Sequence, residues 1–387
     1  MVRALLTALI LGSALPRVAG AQFGLLEAAV QDGVRRGVYP GAAVVVGTSR
    51  GILFAKGFGH FTWSARSATP SPETTRWDIA SLTKVVATTA AAALLVDQGR
   101  LALDAPVSHY LPRFAGGEKA RVTVRMLLDH TSGLPAGLDP AQRRVGRDSV
   151  IAILYRTPLR RPPGSRSQYS DLNAILLGVV IEAITERPLD RFTAEAVFAP
   201  LGMTSTGFLP PPALRARIAP TAEWRGTPLS GEVNDRTAGW LGGVAGHAGV
   251  FATASDLARY AQWWLHRGRT PSGTPLLRST TMDTFLASGP TSGPRLLGWE
   301  SRSTREYTPN PYGTLVSARA YGHTGYTGTM IWVDPARDLF VVFLTNRAFG
   351  PRVAKPFTAL HEIRARVADA AVRAAPGACR ATPSPPC

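Results

Sequence analysis

Ala80-Ser81-Leu82-Thr83-Lys84, with the run from Val85 to Gln98 behind it (Val-Val-Ala-Thr-Thr-Ala-Ala-Ala-Ala-Leu-Leu-Val-Asp-Gln), sets the terms for the whole chain. The run holds no glycine or proline and stops at Gly99, a residue suited to end a helix. It is apolar nearly all round, which predicts a helix sunk in a large core. Ser81 and Lys84, three residues apart, then lie one above the other on one face. The chain has four lysines (56, 84, 119 and 355) against 39 arginines, and one of the four falls in the first turn of this helix.

That placement carries chemistry. Burial strips hydration from a lysine ammonium, lowers its pKa and turns it into a base. An adjacent base is what activates a serine hydroxyl for attack. The helix N-terminus offers unpaired N–H groups to developing negative charge. The same four residues also fit a plain N-cap followed by a lysine reaching for solvent, so partners elsewhere in the chain must decide.

At 387 residues the chain can bury a sizeable core, and its 45% apolar and 18% charged content is that of a globular protein. Met1-Val2-Arg3, an apolar stretch from Ala4 to Leu15 and the small residues Ala19-Gly20-Ala21 predict an export signal over 1–21. No later stretch holds 18 uninterrupted apolar residues, so no integral membrane segment is expected in the mature chain. The protein is therefore expected to be periplasmic or extracellular. Cys379 and Cys387 sit in a Pro- and Ala-rich tail, 376–387, where they either pair or stay free; neither is placed to be catalytic.

The net charge is +17, or +15 without Arg3 and Arg17. The arginines are scattered in blocks no longer than two, without interleaved aromatics, which argues against a nucleic-acid partner and leaves attraction to an anionic cell envelope. Seven histidines without H-E-x-x-H or paired-cysteine spacing point to no metal centre. No G-x-S-x-G elbow or phosphate-binding glycine loop is present, and no cofactor is expected.

Gly24 to Arg36 reads as an amphipathic helix; Gly41–Gly47 and Gly51–Gly57 read as an antiparallel hairpin. From Leu101 to about Tyr260 the pattern is helical with long connections, with a strong helix from Leu172 to Thr185 and another opened by Ser255 and Asp256. Gly328–Asp334 and Asp338–Thr345 form a second hairpin, and Lys355–Ala375 a closing helix. Strands at both ends with helices between them predict an α+β fold: one antiparallel sheet drawn from both termini and flanked by helices, with a mostly helical insertion. The domain is expected over 22–375, with its sheet region at about 22–75 and 290–375 and its helical region at about 76–289.

Two later stretches supply what Ser81 and Lys84 lack. In Tyr169-Ser170-Asp171-Leu172-Asn173 the tyrosine can relay protons if nearby cations favour its ionised form, and Asp171 can bond Lys84 or a substrate amide. Ser170 or Asp171 can equally be a helix cap. In Gly322-His323-Thr324-Gly325-Tyr326-Thr327-Gly328 the glycines allow close backbone approach to a substrate, Thr324 offers a hydroxyl, and His323 can orient Tyr169 or a substrate carboxylate. His130 reads as a brace for its turn. His247, in the glycine-rich segment 240–249, reads either as a structural hydrogen bonder or as a residue lining the pocket, the first reading being favoured.

The order Ser-x-x-Lys, Tyr-x-Asp 88 residues on and His-Thr-Gly a further 154 on resembles the serine beta-lactamase and penicillin-binding-protein family. Its motifs are S-x-x-K, S-x-N or Y-x-N, and K-T-G. The tyrosine points to the branch of class C beta-lactamases, D-Ala-D-Ala carboxypeptidases and family VIII esterases, as do Leu127-Leu128-Asp129-His130-Thr131-Ser132-Gly133-Leu134, the Gly-His-Ala-Gly segment and His-Thr-Gly-Tyr-Thr-Gly. The resemblance spans roughly residues 24 to 372. It implies a beta-lactamase/transpeptidase-like fold, Ser81 as acylated nucleophile, Lys84 as its base, Tyr169 as proton relay, and the N–H groups of Ser81 and Tyr326 as oxyanion hole. His323 stands where the family has lysine and Asp171 where it has asparagine, changes that weaken beta-lactam hydrolysis and leave acyl transfer intact. The expected substrates are small esters or D-amino-acid amides of cell-wall peptides. The alternatives are a class C-like beta-lactamase or a slowly deacylating penicillin-binding sensor.

Overall fold

The apolar runs at the two ends of the chain pair with each other. The structure, a computed structural model, describes residues 22–139, 146–302 and 308–375. The expected export signal, and the tail with Cys379 and Cys387, lie outside the described residues. Helix α1 (Gly24–Arg35) precedes strands β1 (Gly41–Thr48) and β2 (Gly51–Gly59), which form the expected antiparallel hairpin. β3 (Trp77–Asp78), β4 (Gly207–Phe208) and β5 (Val250–Ala252) make a small sheet in the order β3-β5-β4. The last four strands are β6 (Glu300–Ser301), β7 (Tyr321–Thr324), β8 (Met330–Asp334) and β9 (Leu339–Thr345). The main sheet runs β2-β1-β9-β8-β7-β6, antiparallel throughout.

Alternation along the strands divides the interior in two. Ala43, Val45, Ile331, Val333, Phe340, Val342 and Leu344 face one core; Ala42, Val44, Val46, Met330, Trp332, Val341 and Phe343 face the other. The second core is closed by α1 and the C-terminal helix, through Leu26, Val30, Leu360, Ile363 and Val367. The first continues into the helical region. Because both faces are covered, these strands read as unbroken apolar runs rather than alternating ones.

The helix after Ser81 begins as a wide π turn over Lys84–Thr89 and becomes α-helical in α2 (Ala90–Asp97). Tyr260 bonds the Val85 carbonyl at 2.6 Å and Thr88 bonds the Gly246 carbonyl at 2.7 Å, so the irregular turn is held from outside. α3 (Val124–Leu128) ends before the turn at His130, and α4 (Asp171–Thr185) is buried on nearly every side. α5 (Ala254–Leu265) is capped by Thr253, whose hydroxyl accepts from the Asp256 N–H at 3.2 Å. The cap therefore lies two residues before Ser255, where the sequence pattern opens the helix, because it is the Thr253 hydroxyl that meets the first-turn N–H. α6 (Pro356–Ala374) closes the chain. Among the described residues no helix is long and apolar enough to cross a membrane.

Candidate active site

Asp78 organises the approach to Ser81. One of its carboxylate oxygens accepts from the Ala80 N–H at 2.8 Å and the other from Asn234 N–H at 2.7 Å. Ala80 has φ +48°, a left-handed conformation rare for a side chain, and this bend delivers Ser81 at the head of the π turn. The Gly325–Thr329 turn is tied to the same segment: Thr327 bonds the Asp78 carbonyl at 2.7 Å and Thr329 the Ile79 carbonyl at 2.9 Å. A side chain at Gly325 would collide with Thr329, so this close approach requires glycine.

Around Ser81 Oγ two donors converge. Lys84 Nζ and Tyr169 Oη each lie 3.0 Å away, the lysine 3% exposed rather than extended to solvent. Lys84 Nζ also donates to the His247 carbonyl at 3.2 Å and pairs with Asp171 Oδ1 at 2.7 Å. Asp171 sits in the first turn of α4, where a carboxylate is favoured by the helix dipole. Neither Ser170 nor Asp171 caps that helix through its side chain; the Ser170 hydroxyl goes to the Pro135 carbonyl at 2.6 Å.

The charge states follow from these contacts. Burial pulls the Lys84 pKa down, as the sequence reading expected, but the Asp171 carboxylate and Tyr169 outweigh it, and the lysine ends above its ordinary value. Burial opposes ionisation of Asp171 too, yet the Lys84 ammonium holds it below the ordinary carboxylate range. Tyr169 is pushed up by burial more than Lys84 pulls it down. The resting site is thus an ammonium, a carboxylate and a neutral phenol. The lysine is not the free amine that burial by itself predicts, and the nearby Lys84 cation does not suffice to ionise Tyr169.

Ser81, Tyr169, Asp171, Thr324, Gly325 and Tyr326 line one cavity of about 840 Å³, and Asp235, Arg236, His247, Phe357, His361 and Arg364 join them on its walls. Among the described residues the N–H groups of Ser81 and Tyr326 have no hydrogen-bond partner. The peptide bearing the second of them is held from behind by Arg364, which donates to the Gly325 carbonyl at 3.0 Å, and the next peptide by Arg347, which donates twice to the Tyr326 carbonyl, at 3.0 and 2.7 Å.

His323 is placed differently from expectation. It is 1% exposed and does not line the cavity; its ring lies 6.1 Å from that of Tyr169, on the far side from solvent. Burial, with Lys84 and Arg295 nearby, pushes its pKa down to about 4 against the pull of Glu300, so it is neutral at pH 7. A buried neutral imidazole cannot hold a substrate carboxylate by charge. The strand position puts His323 inside because Thr324, its neighbour on β7, faces the cavity.

The structure adds Arg295, Glu300 and Asp235, which the sequence reading did not single out, and shows what His130 braces. Arg295 stacks its guanidinium 5.0 Å from the Tyr169 ring centre and pairs with Glu300 at 2.6 Å, both fully buried. His130 Nδ1 lies 3.2 Å from the Ser170 N–H and 3.1 Å from Asn173 Nδ2, bracing Tyr169 from the other side with rings 4.8 Å apart. Asp235 holds His247 Nε2 at 2.8 Å, and this contact outweighs burial to bring the carboxyl to about pKa 2. An arginine among 39 and an aspartate that caps the short helix Arg236–Trp240 carry no local signature of the site. Asp171, Asp235 and His247 bring donor atoms within 4.8 Å of one another, the spacing of a metal cradle. The Lys84 ammonium already neutralises Asp171, and His247 Nε2 is committed to Asp235.

The family model described as Beta-lactamase matches residues 26–365. A protein of Escherichia coli (strain K12) named "Putative D-alanyl-D-alanine carboxypeptidase" is 32% identical over 352 residues, covering 82% of this chain and 80% of that one. The structure of a penicillin-binding protein homolog from Caulobacter crescentus superposes with a TM-score of 0.72 at 22% identity, over 92% of this chain and 98% of its own. A beta-lactamase/D-alanine carboxypeptidase from Pseudomonas syringae gives 0.71 at 18% identity, over 90% and 99%. With the family match running from α1 into α6, the chain belongs to the beta-lactamase family of serine hydrolases.

Proposed function

We propose that the protein is an exported hydrolase that works through an acyl-enzyme on Ser81, cleaving D-amino-acid amides of cell-wall peptides or small esters. The observation that carries this reading is the convergence of Lys84 Nζ and Tyr169 Oη on Ser81 Oγ at 3.0 Å each, at the wall of an open cavity. Once Lys84 has given up a proton to solvent, Ser81 Oγ attacks the substrate carbonyl and its proton passes to the Lys84 amine, directly or by way of the Tyr169 hydroxyl. The carbonyl–leaving-group bond breaks, and the departing nitrogen or oxygen takes a proton from the same pair. Water then cleaves the acyl ester and regenerates the serine. The N–H groups of Ser81 and Tyr326 receive the oxyanion.

The name of the 32%-identical relative supports amide substrates of the D-alanyl type. Beta-lactam hydrolysis has less behind it, since the third motif offers a buried neutral His323 in place of a cation. The test is hydrolysis of a peptide ending in D-Ala-D-Ala and of ethyl acetate, beside intact mass measurement after brief exposure to a penicillin. Ser81→Ala is expected to lower turnover by roughly three orders of magnitude or more and to abolish any acyl adduct. Unchanged turnover in Ser81→Ala sinks the assignment. A lasting penicillin adduct without peptide or ester turnover would instead identify a slowly deacylating sensor. Export is tested by the N-terminal sequence of the protein recovered outside the cytoplasm, expected to begin near Gln22.

A further inference from the structure

Among the described residues five large apolar side chains are well exposed, and two of them, Tyr326 (57%) and Phe357 (40%), meet on the wall of the cavity that holds Ser81. Their ring centres are 5.5 Å apart and the planes are tilted by 56°, so together they form an open V rather than a closed stack. Arg347 lies against both rings, its guanidinium carbon 4.6 Å from the Tyr326 centre and 4.0 Å from that of Phe357. It is 3% exposed, and two of its nitrogens are committed to the Tyr326 carbonyl. Burial pulls its pKa below the ordinary arginine value, so the fold pays for placing a cation there.

A cation so placed stiffens the rings through cation–π contact and is not itself presented to a ligand. What the cavity meets at this end is aromatic carbon. Exposed rings on a rigid support, inside a site cavity, are unfavourable in water until something apolar covers them. Other lining residues differ in kind, with the carboxylates of Asp171 and Asp235 about one-third exposed.

We propose that Tyr326 and Phe357, braced by Arg347, form a subsite for an apolar side group of the substrate acylating Ser81, aliphatic or aromatic, and so set its selectivity. This rests on the acyl-enzyme reading above and names the chemistry of the substrate at one end. The ring of Phe357, from the first turn of α6, is the selecting element, because Tyr326 also contributes its backbone to the site.

The test uses three esters that share the reacting group: ethyl acetate, ethyl phenylacetate and benzyl acetate. The wild-type protein is expected to favour at least one phenyl-bearing ester over ethyl acetate. Phe357→Ala is expected to lower kcat/KM for that ester about tenfold while leaving ethyl acetate within about twofold. Phe357→Leu, which keeps an apolar side chain on α6, should fall between them and guards against misfolding. Equal loss on all three esters, or none, overturns the subsite. If ethyl acetate turnover by the wild type disappears in Ser81→Ala, that result strikes the subsite alone. No turnover of any ester by the wild type overturns the subsite, while the acyl-enzyme reading then stands or falls with hydrolysis of the D-Ala-D-Ala peptide.

Discussion

Lys84 meets a carboxylate where the family's second motif carries a neutral amide, and the proton inventory of the site changes with it. Asp171 at 2.7 Å holds the lysine as an ammonium that must lose a proton before it can take one from Ser81. Activity is therefore expected to rise as pH increases, toward the raised lysine value. Asp171→Asn removes the charge and keeps the shape. Burial is then opposed by Tyr169 without the carboxylate, the Lys84 pKa falls, and the rising limb of kcat/KM moves to lower pH. The check is the pH profile of ester hydrolysis by both proteins. A limb that stays in place would show that Lys84 does not accept the serine proton, leaving that task to Tyr169. Tyr169→Phe, which removes the hydroxyl 3.0 Å from Ser81, should lower kcat about 100-fold or more while leaving stability nearly unchanged.

The elements that carry the site differ in how plainly they announce themselves. The two hairpins, α1, α4 and α6 follow from apolar period and turn residues, and the sheet drawn from both termini follows from where the strands fall. Ser81, Lys84 and Tyr169 are legible because S-x-x-K and Y-x-D are local patterns. The π turn at Lys84–Thr89 is not, since its wide winding is imposed by Tyr260 and Gly246, which are remote in sequence. The Arg295–Glu300 pair behind Tyr169 is hidden for the same reason: packing across elements selects it, not spacing within one. Segment 240–249 shows the boundary between the two cases. Its glycines announce close packing, but only the fold reveals that Gly246 lies against α4, where a Cβ would run into the Ala174 carbonyl oxygen. That neighbour is backbone and cannot step aside. Gly246→Ala is accordingly expected to destabilise the protein by about 2–3 kcal/mol, read by denaturant unfolding, and to lower activity through displacement of the adjoining His247. Wild-type stability in this variant would mean that the loop and α4 are not in contact.

At the scale of the molecule, the site lies where the helical region meets the sheet, and this junction is rich in buried histidines. His323 and His361 are each brought down to about pKa 4, mainly by burial, and His130 well below its usual 6.5. The unfolded chain takes up these protons near pH 6.5 and the folded chain does not, so stability falls as pH drops through that window. For His323, fully buried, a shift of this size corresponds to about 3 kcal/mol once complete. Asp78 acts in the opposite sense. Burial raises it to about 6, so the fold binds its proton between about pH 6 and 3.8 while the unfolded chain does not, offsetting part of the loss. Asp129 and Asp256, raised by burial to a smaller extent, add to that offset. The midpoint of thermal unfolding is expected to be lower at pH 5 than at pH 7. Asp78→Asn, which cannot take up the compensating proton, should make that fall steeper. A midpoint that rises from pH 7 to pH 5 would mean that proton uptake by Asp78, Asp129 and Asp256 outweighs the histidines; a rise that persists in Asp78→Asn would mean that the histidines are protonated within the fold.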